Sequence, residues 1–117
     1  WFLETQEKKV KTSEVIRFVG GGALSDVTCQ ILADCTGRKI ETIENPQNAG
    51  AVGAAVLIAV GLGLINSISD ARSLIPATKS FTPDSTVKSV YDKHFEVFKR
   101  LYADNKKNFA DLNSKTN

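Results

Sequence analysis

Val15-Ile16-Arg17-Phe18-Val19-Gly20-Gly21-Gly22-Ala23 decides how this chain folds. Four β-branched or aromatic residues around a single Arg run straight into three glycines, the pattern of a buried strand that stops in a turn. Beyond the glycines, Ala23 to Thr36 sets Val27, Ile31 and Leu32 on an i, i+4 face. Gly37 follows, where a left-handed cap residue belongs, so this stretch is predicted to be a helix. Arg38 to Ile43, bounded by Gly37 and Pro46, favours a second strand. Two strands joined through a helix imply a parallel pair with a right-handed crossover, and hence an α/β layered fold.

Further out, the seventeen residues Ala49 to Ile65 are drawn only from Ala, Gly, Val, Leu and Ile. The length is borderline for a membrane span. Four glycines dilute the run, no Trp, Tyr, Lys or Arg anchors flank it, and Asn66-Ser67-Ile68-Ser69-Asp70 follows. These features point instead to a helix buried between layers, and no membrane partner is expected. Asp70 to Phe81, broken by Pro76, reads as connection with a short edge strand at Lys79 to Phe81. Thr82-Pro83-Asp84 then carries N-cap and first-turn signals, predicting a helix from about Pro83 to about Phe109. Its packing stripe is Val87, Tyr91, Phe95, Phe98 and Tyr102, and its solvent face is Asp84, Lys88, Asp92, Lys99 and Asp104. Residues Asn113 to Asn117 are expected to fray.

The 117 residues are 42% hydrophobic and 24% charged, enough for one globular core and no more. The chain lacks Met and opens with Trp1-Phe2-Leu3 in an amphipathic segment, so the expectation is a partial domain, residues 1–117, that does not begin at its natural start. The first twenty residues show no secretory leader, which favours a cytoplasmic protein. The net charge of +2 comes from scattered Lys and Arg, without the basic stripe of a nucleic-acid reader. Cys29 and Cys35 lie six residues apart on different faces of the predicted helix, which is poor disulfide geometry. They read as two buried reduced thiols, with no metal-binding spacing around them. His94, the single histidine, reads as packing or surface, and no catalytic or metal set assembles from these side chains.

Where the first strand feeds its helix through Gly20, Gly21 and Gly22, unpaired N–H groups and the positive end of a helix dipole meet, which suits a phosphate. Glycine lets an anion approach the backbone and tolerates positive φ. Three readings stand side by side. One is a phosphate or nucleotide loop. The second is a small NAD-type dinucleotide module, with Ser25 in place of the third glycine and Glu41 or Glu44 some twenty residues on. The third is a bare turn in a non-enzymatic interaction domain. A Walker A pattern is absent.

Ile16-Arg17-Phe18-Val19-Gly20-Gly21-Gly22-Ala23-Leu24-Ser25, then Gln30-Ile31-Leu32-Ala33-Asp34, then Gly50-Ala51-Val52-Gly53-Ala54-Ala55 form three blocks in sequence. Together they resemble the adenosine-motif region of the FGGY carbohydrate kinases, most of all the xylulokinases. The resemblance covers residues 13 to 65, and the aromatic helix after Pro83 is similar to the family's C-terminal helix. It implies part of the C-terminal actin-like, ribonuclease-H-like ATPase domain of an ATP-dependent sugar kinase. That domain would run strand, glycine turn, helix, strand, helix, then a long C-terminal helix.

Gly20, Gly21, Gly22 and Ala23 would lie against the adenosine side and inner phosphates of ATP or ADP, with Ser25 and Asp26 as nucleoside contacts. Asp26 is better placed near ribose or base than near phosphate. Gln30 and Asp34 equally suit a structural bond to a neighbouring loop, and Asn45, Gln47 and Asn48 suit either adenine or a loop backbone. The family supplies the sugar site, Mg2+ and the catalytic Asp from the rest of the protein, so this chain alone is expected to be inactive. Xylulose is the leading sugar. Apolar surface at Ala49 to Ile65 and Trp1 to Leu3 is expected to favour self-association.

Overall fold

The structure, a computed structural model, describes residues 1–114. Helix α1 (Phe2–Glu7) precedes strand β1 (Val15–Arg17). A 3-10 turn (Gly21–Leu24) leads to helix α2 (Asp26–Thr36), strand β2 (Lys39–Ile43), a second 3-10 turn (Pro46–Asn48) and helix α3 (Ala49–Gly61). A third 3-10 turn (Ile68–Asp70) leads to the short helix α4 (Ala71–Leu74), strand β3 (Ala77–Phe81) and helix α5 (Lys88–Asn113). The strands form one sheet in the order β1-β2-β3, with β1 parallel to β2 and β3 antiparallel to it. The α/β layering and the parallel crossover are therefore as the glycine-centred reading predicts.

The core lies between α2 and one face of the sheet. Cys29, Ala33 and Ile40 are fully buried, with Ile16, Phe18, Leu32 and Phe81 packed around them. The face of α2 that meets the sheet is not the one expected. Val27 and Ile31 stay largely exposed, while the smaller Cys29 and Ala33 face inward. Small side chains let the helix axis approach the sheet closely, and close packing outweighs the larger apolar area of Val and Ile. Gly37 ends α2 at φ 65°, donating its N–H to the Ala33 carbonyl at 2.8 Å. Beside it, Arg38 pairs with both Glu7 and Glu14, tying α1 and the approach to β1 onto the start of β2.

Three expectations are corrected. The Ala49 to Ile65 run is helical only to Gly61, and no residue of α3 is buried, because no second layer lies over it among the described residues. The long helix starts at Lys88 instead of Pro83. The Gln30 side-chain amide donates to the Thr82 carbonyl at 2.9 Å, the Asp84 N–H donates to Asp34 at 2.8 Å, and Asp84 itself accepts from the Thr86 N–H and hydroxyl. Those bonds hold 82–86 in a turn. Of the two cysteines, Cys29 is buried but Cys35 is exposed; both are free thiols. Ser67 caps the third 3-10 turn in a reciprocal box with Asp70, just ahead of the Asp70 to Phe81 stretch read as connection.

Helix α5 continues to Asn113; of the tail expected to fray, residues 115–117 lie outside the described residues. The radius of gyration is 19.0 Å, where a compact chain of this length would have about 13 Å. The excess reflects α3 and α5 projecting from the sheet and α2. No helix among the described residues is long and apolar enough to cross a membrane.

Candidate functional site

The turn between β1 and α2 is built by three glycines with three different jobs. Gly20 sits at φ 94°, a region that L side chains rarely adopt, and its N–H donates to the Pro46 carbonyl at 2.8 Å. Gly22 has an ordinary φ, but a β-carbon there would lie 3.1 Å from the Phe18 ring. Gly21 meets neither demand: its φ is ordinary and a β-carbon would have open space around it. Among the described residues, no acceptor receives the N–H of Gly21 or Gly22. Gly21 and Gly22 are exposed and lie a few residues ahead of the N-terminal end of the eleven-residue α2.

The other expected site residues follow in the same turn. Ala23 is buried and its carbonyl accepts from the Cys29 thiol at 3.7 Å, so it supports the loop from below. Burial raises the Cys29 thiol pKa, the nearby Asp26 charge adding to it and Lys79 opposing it, which keeps the group a neutral packing element. The Ser25 hydroxyl accepts from the Thr28 N–H at 3.2 Å as the N-cap of α2. Asp26, in the first turn, pairs with Lys79 of β3 at 2.7 Å. Gly20 to Ala23, Ser25 and Asp26 are thus brought together, and Lys79, which no local pattern singles out, joins them from 53 residues downstream.

Gln30 and Asp34 bond to each other at 2.8 Å and anchor the segment after β3. Asn45, held in the left-handed region at φ 48°, and Gln47 and Asn48 are exposed in the turn reached by the Gly20 bond. His94 lies at the opposite end of α2, beside Cys35, Tyr91, Phe95 and Phe98 around a cavity of 210 Å³.

A larger groove of about 450 Å³ opens between the other sheet face, α3 and α4, with Val15, Val19, Ile43 and Val52 on its walls. Arg17 crosses it, donating to the Ile75 carbonyl at 2.9 Å and facing Glu41 at 3.6 Å. Lys39 first, and Arg17 with it, holds the Glu41 carboxyl below the usual carboxylate range, so this candidate ribose contact of a dinucleotide module is already engaged. Among the described residues no three His, Cys, Asp or Glu side chains converge to hold a metal ion.

Residues 2–62 match the FGGY family of carbohydrate kinases, C-terminal domain. The chain is 32% identical over 102 residues to the L-xylulose/3-keto-L-gulonate kinase of Escherichia coli K12, covering 86% of this chain and 20% of that protein. It is 31% identical over 113 residues to the xylulose kinase of Bacillus subtilis 168, covering 96% and 22%. In fold it is similar to a ligand-bound xylulose kinase from Lactobacillus acidophilus, with a TM-score of 0.79 at 24% identity over 90% of this chain and 21% of that one. The chain spans about a fifth of the length of the curated relatives it matches.

Proposed function

This chain belongs to the FGGY family of carbohydrate kinases, within the C-terminal domain of that family, and from this premise we propose that it forms the nucleotide-binding portion of an ATP-dependent sugar kinase. Gly21 and Gly22 receive the inner phosphates of ATP or ADP through their free N–H groups, Gly20 shapes the turn beside them with its own N–H held by Pro46, and Ala23 supports them from the core. Asp26 lies on the nucleoside side, with the Ser25 hydroxyl retained as a cap. The single observation that carries the site is Gly21, a glycine that neither backbone conformation nor packing within the chain requires. Close approach of a ligand to the backbone gives it a reason.

The sugar is a ketose, xylulose first, phosphorylated to xylulose 5-phosphate, on the strength of the xylulose and L-xylulose kinases among the relatives. In-line phosphoryl transfer needs magnesium to neutralise charge and a carboxylate to take the hydroxyl proton. We assign neither to these residues, and the 117-residue chain by itself is inactive, its working context being the cytoplasm. The open apolar face of α3 draws copies of the isolated chain together, and a clean monomer by light scattering at micromolar concentration would count against that.

The test is a titration of the chain with fluorescent ADP. Saturable binding that ATP displaces and NAD does not is expected, with Gly21→Ala weakening it roughly tenfold and leaving the unfolding midpoint in place. Displacement by NAD alone, or no binding at all, would overturn the reading.

A further inference from the structure

Three residues at four-residue spacing on α2, Asp26, Gln30 and Asp34, reach the same stretch of chain. Asp26 meets Lys79, Gln30 meets the Thr82 carbonyl, and Asp34 meets the Asp84 N–H. Residues four apart lie on one helix face, so this is a polar ladder along α2 that β3 and its continuation climb. Its two upper rungs are backbone-to-side-chain bonds that anchor the segment. The third rung, at the nucleotide end of α2, is an ion pair between side chains both more than half exposed. Exposed pairs of that kind add little to stability, so anchoring is not a sufficient reason for it.

The position of Lys79 is set by the strand. Phe81 packs in the core under α2, and residues two apart on a strand share a face, so Lys79 stands on the α2 side of the sheet. The register irregularity between Thr42 and Ile43 falls just before the Thr42–Lys79 pair, and such bulges re-aim neighbouring side chains. Its amine therefore lies beside the first turn of α2, where Asp26 would otherwise present an uncompensated carboxylate four to five residues along the chain from Gly21 and Gly22.

We propose that Lys79 is a positioning residue of the nucleotide site, which neutralises Asp26 so that the turn at Gly20 to Gly22 accepts the phosphates of an adenine nucleotide. The inference rests on the nucleotide reading above and adds a residue from β3 to it. An inward lysine on an edge strand also guards against strand-to-strand association, and that purely structural role makes a different prediction about ligands.

The chain and its variants are titrated with fluorescent ADP and with the corresponding fluorescent adenosine, which lacks phosphate. Lys79→Met is expected to weaken ADP about tenfold and adenosine less than about twofold, the loss shrinking as salt is raised to about 0.5 M. Lys79→Arg keeps the charge and the ADP affinity. Asp26→Asn with Lys79→Met removes both charges and restores the ratio of ADP to adenosine affinity, a readout that edge protection would not move. Equal weakening of both ligands by Lys79→Met, or no rescue of the ratio in the double variant, overturns the proposal. Absence of binding to the unaltered chain would instead defeat the nucleotide reading beneath it.

Discussion

Helices α2 and α3 invert the usual relation between hydrophobicity and burial. Helix α2 carries Asp26, Thr28, Gln30 and Asp34 among its eleven residues, yet Cys29 and Ala33 are fully buried. Helix α3 is built only from Ala, Gly, Val, Leu and Ile over thirteen residues, and none of them is buried. The difference is a matter of partners. On one side of α2 is the sheet and on another the ladder to residues 79–84, whereas α3 meets little beyond the two 3-10 turns that flank it and one wall of the groove. Burial is decided by what the fold lays over a helix, and an apolar sequence records only that something should be laid there.

The sharpest way to break this contrast is a matched pair of truncations. Ile40→Ala, beneath α2, should destabilise the chain by about 2–5 kcal/mol, because it opens a cavity among Cys29, Ala33 and Phe81. Leu57→Ala in α3 should change it by less than about 0.5 kcal/mol. Urea denaturation of both variants settles the matter, and similar midpoints would mean that α3 is packed after all.

A second pair separates local from tertiary control. Gly37 and Gly63, at φ 65° and 71°, follow α2 and α3 respectively. Alanine at Gly37 should cost about 1 kcal/mol of global stability. At Gly63 the same strain should only fray an unpacked helix end, showing as lost helical circular dichroism at an unchanged midpoint. Equal shifts in midpoint would tie α3 into the cooperative unit.

Acid sharpens the contrast at the ladder. The hydroxyl of Thr86, and then its N–H, hold the Asp84 carboxyl below its ordinary value of 3.8. A carboxyl depressed in the folded state contributes stability above its unfolded value, and that contribution is lost as pH falls through the folded one. Thr86→Val should therefore lower neutral stability slightly, leave stability at the acid end unchanged and so flatten part of the pH dependence below about pH 4, as followed by acid titration of the unfolding midpoint. An unchanged acid limb would discard the bond. The smallest effect belongs to Lys88→Ala, which breaks an exposed i, i+4 pair with Asp92 and should cost no more than about 0.5 kcal/mol in thermal unfolding.

Much of the sheet and α2 was legible because its signals are local. Gly20 and Gly37 are demanded by the backbone at their own positions, and the β-branched runs need no distant partner to be read. What escaped depends on distance. The inward face of α2 is chosen by how closely it approaches Ile40, so Cys29 and Ala33 displaced the larger Val27 and Ile31. The Thr82-Pro83-Asp84 signals looked like a helix start, but their backbone groups are taken by Gln30 and Asp34, fifty residues earlier. The Ser67 and Asp70 box was within reach of local reading and could have revealed the turn before α4. Lys79 was not, since nothing adjacent to it in sequence hints at Asp26.

The antiparallel seam between β2 and β3 is made across the whole excursion from Ile43 to Ala77, which holds α3 and α4. The entropy of closing such an excursion grows only logarithmically, so that doubling its length would add about 0.6 kcal/mol. With α3 lightly attached, this is where the polypeptide tolerates growth. Extra residues placed after Leu62 would lengthen the detour while leaving the seam, the ladder and the glycine turn in register.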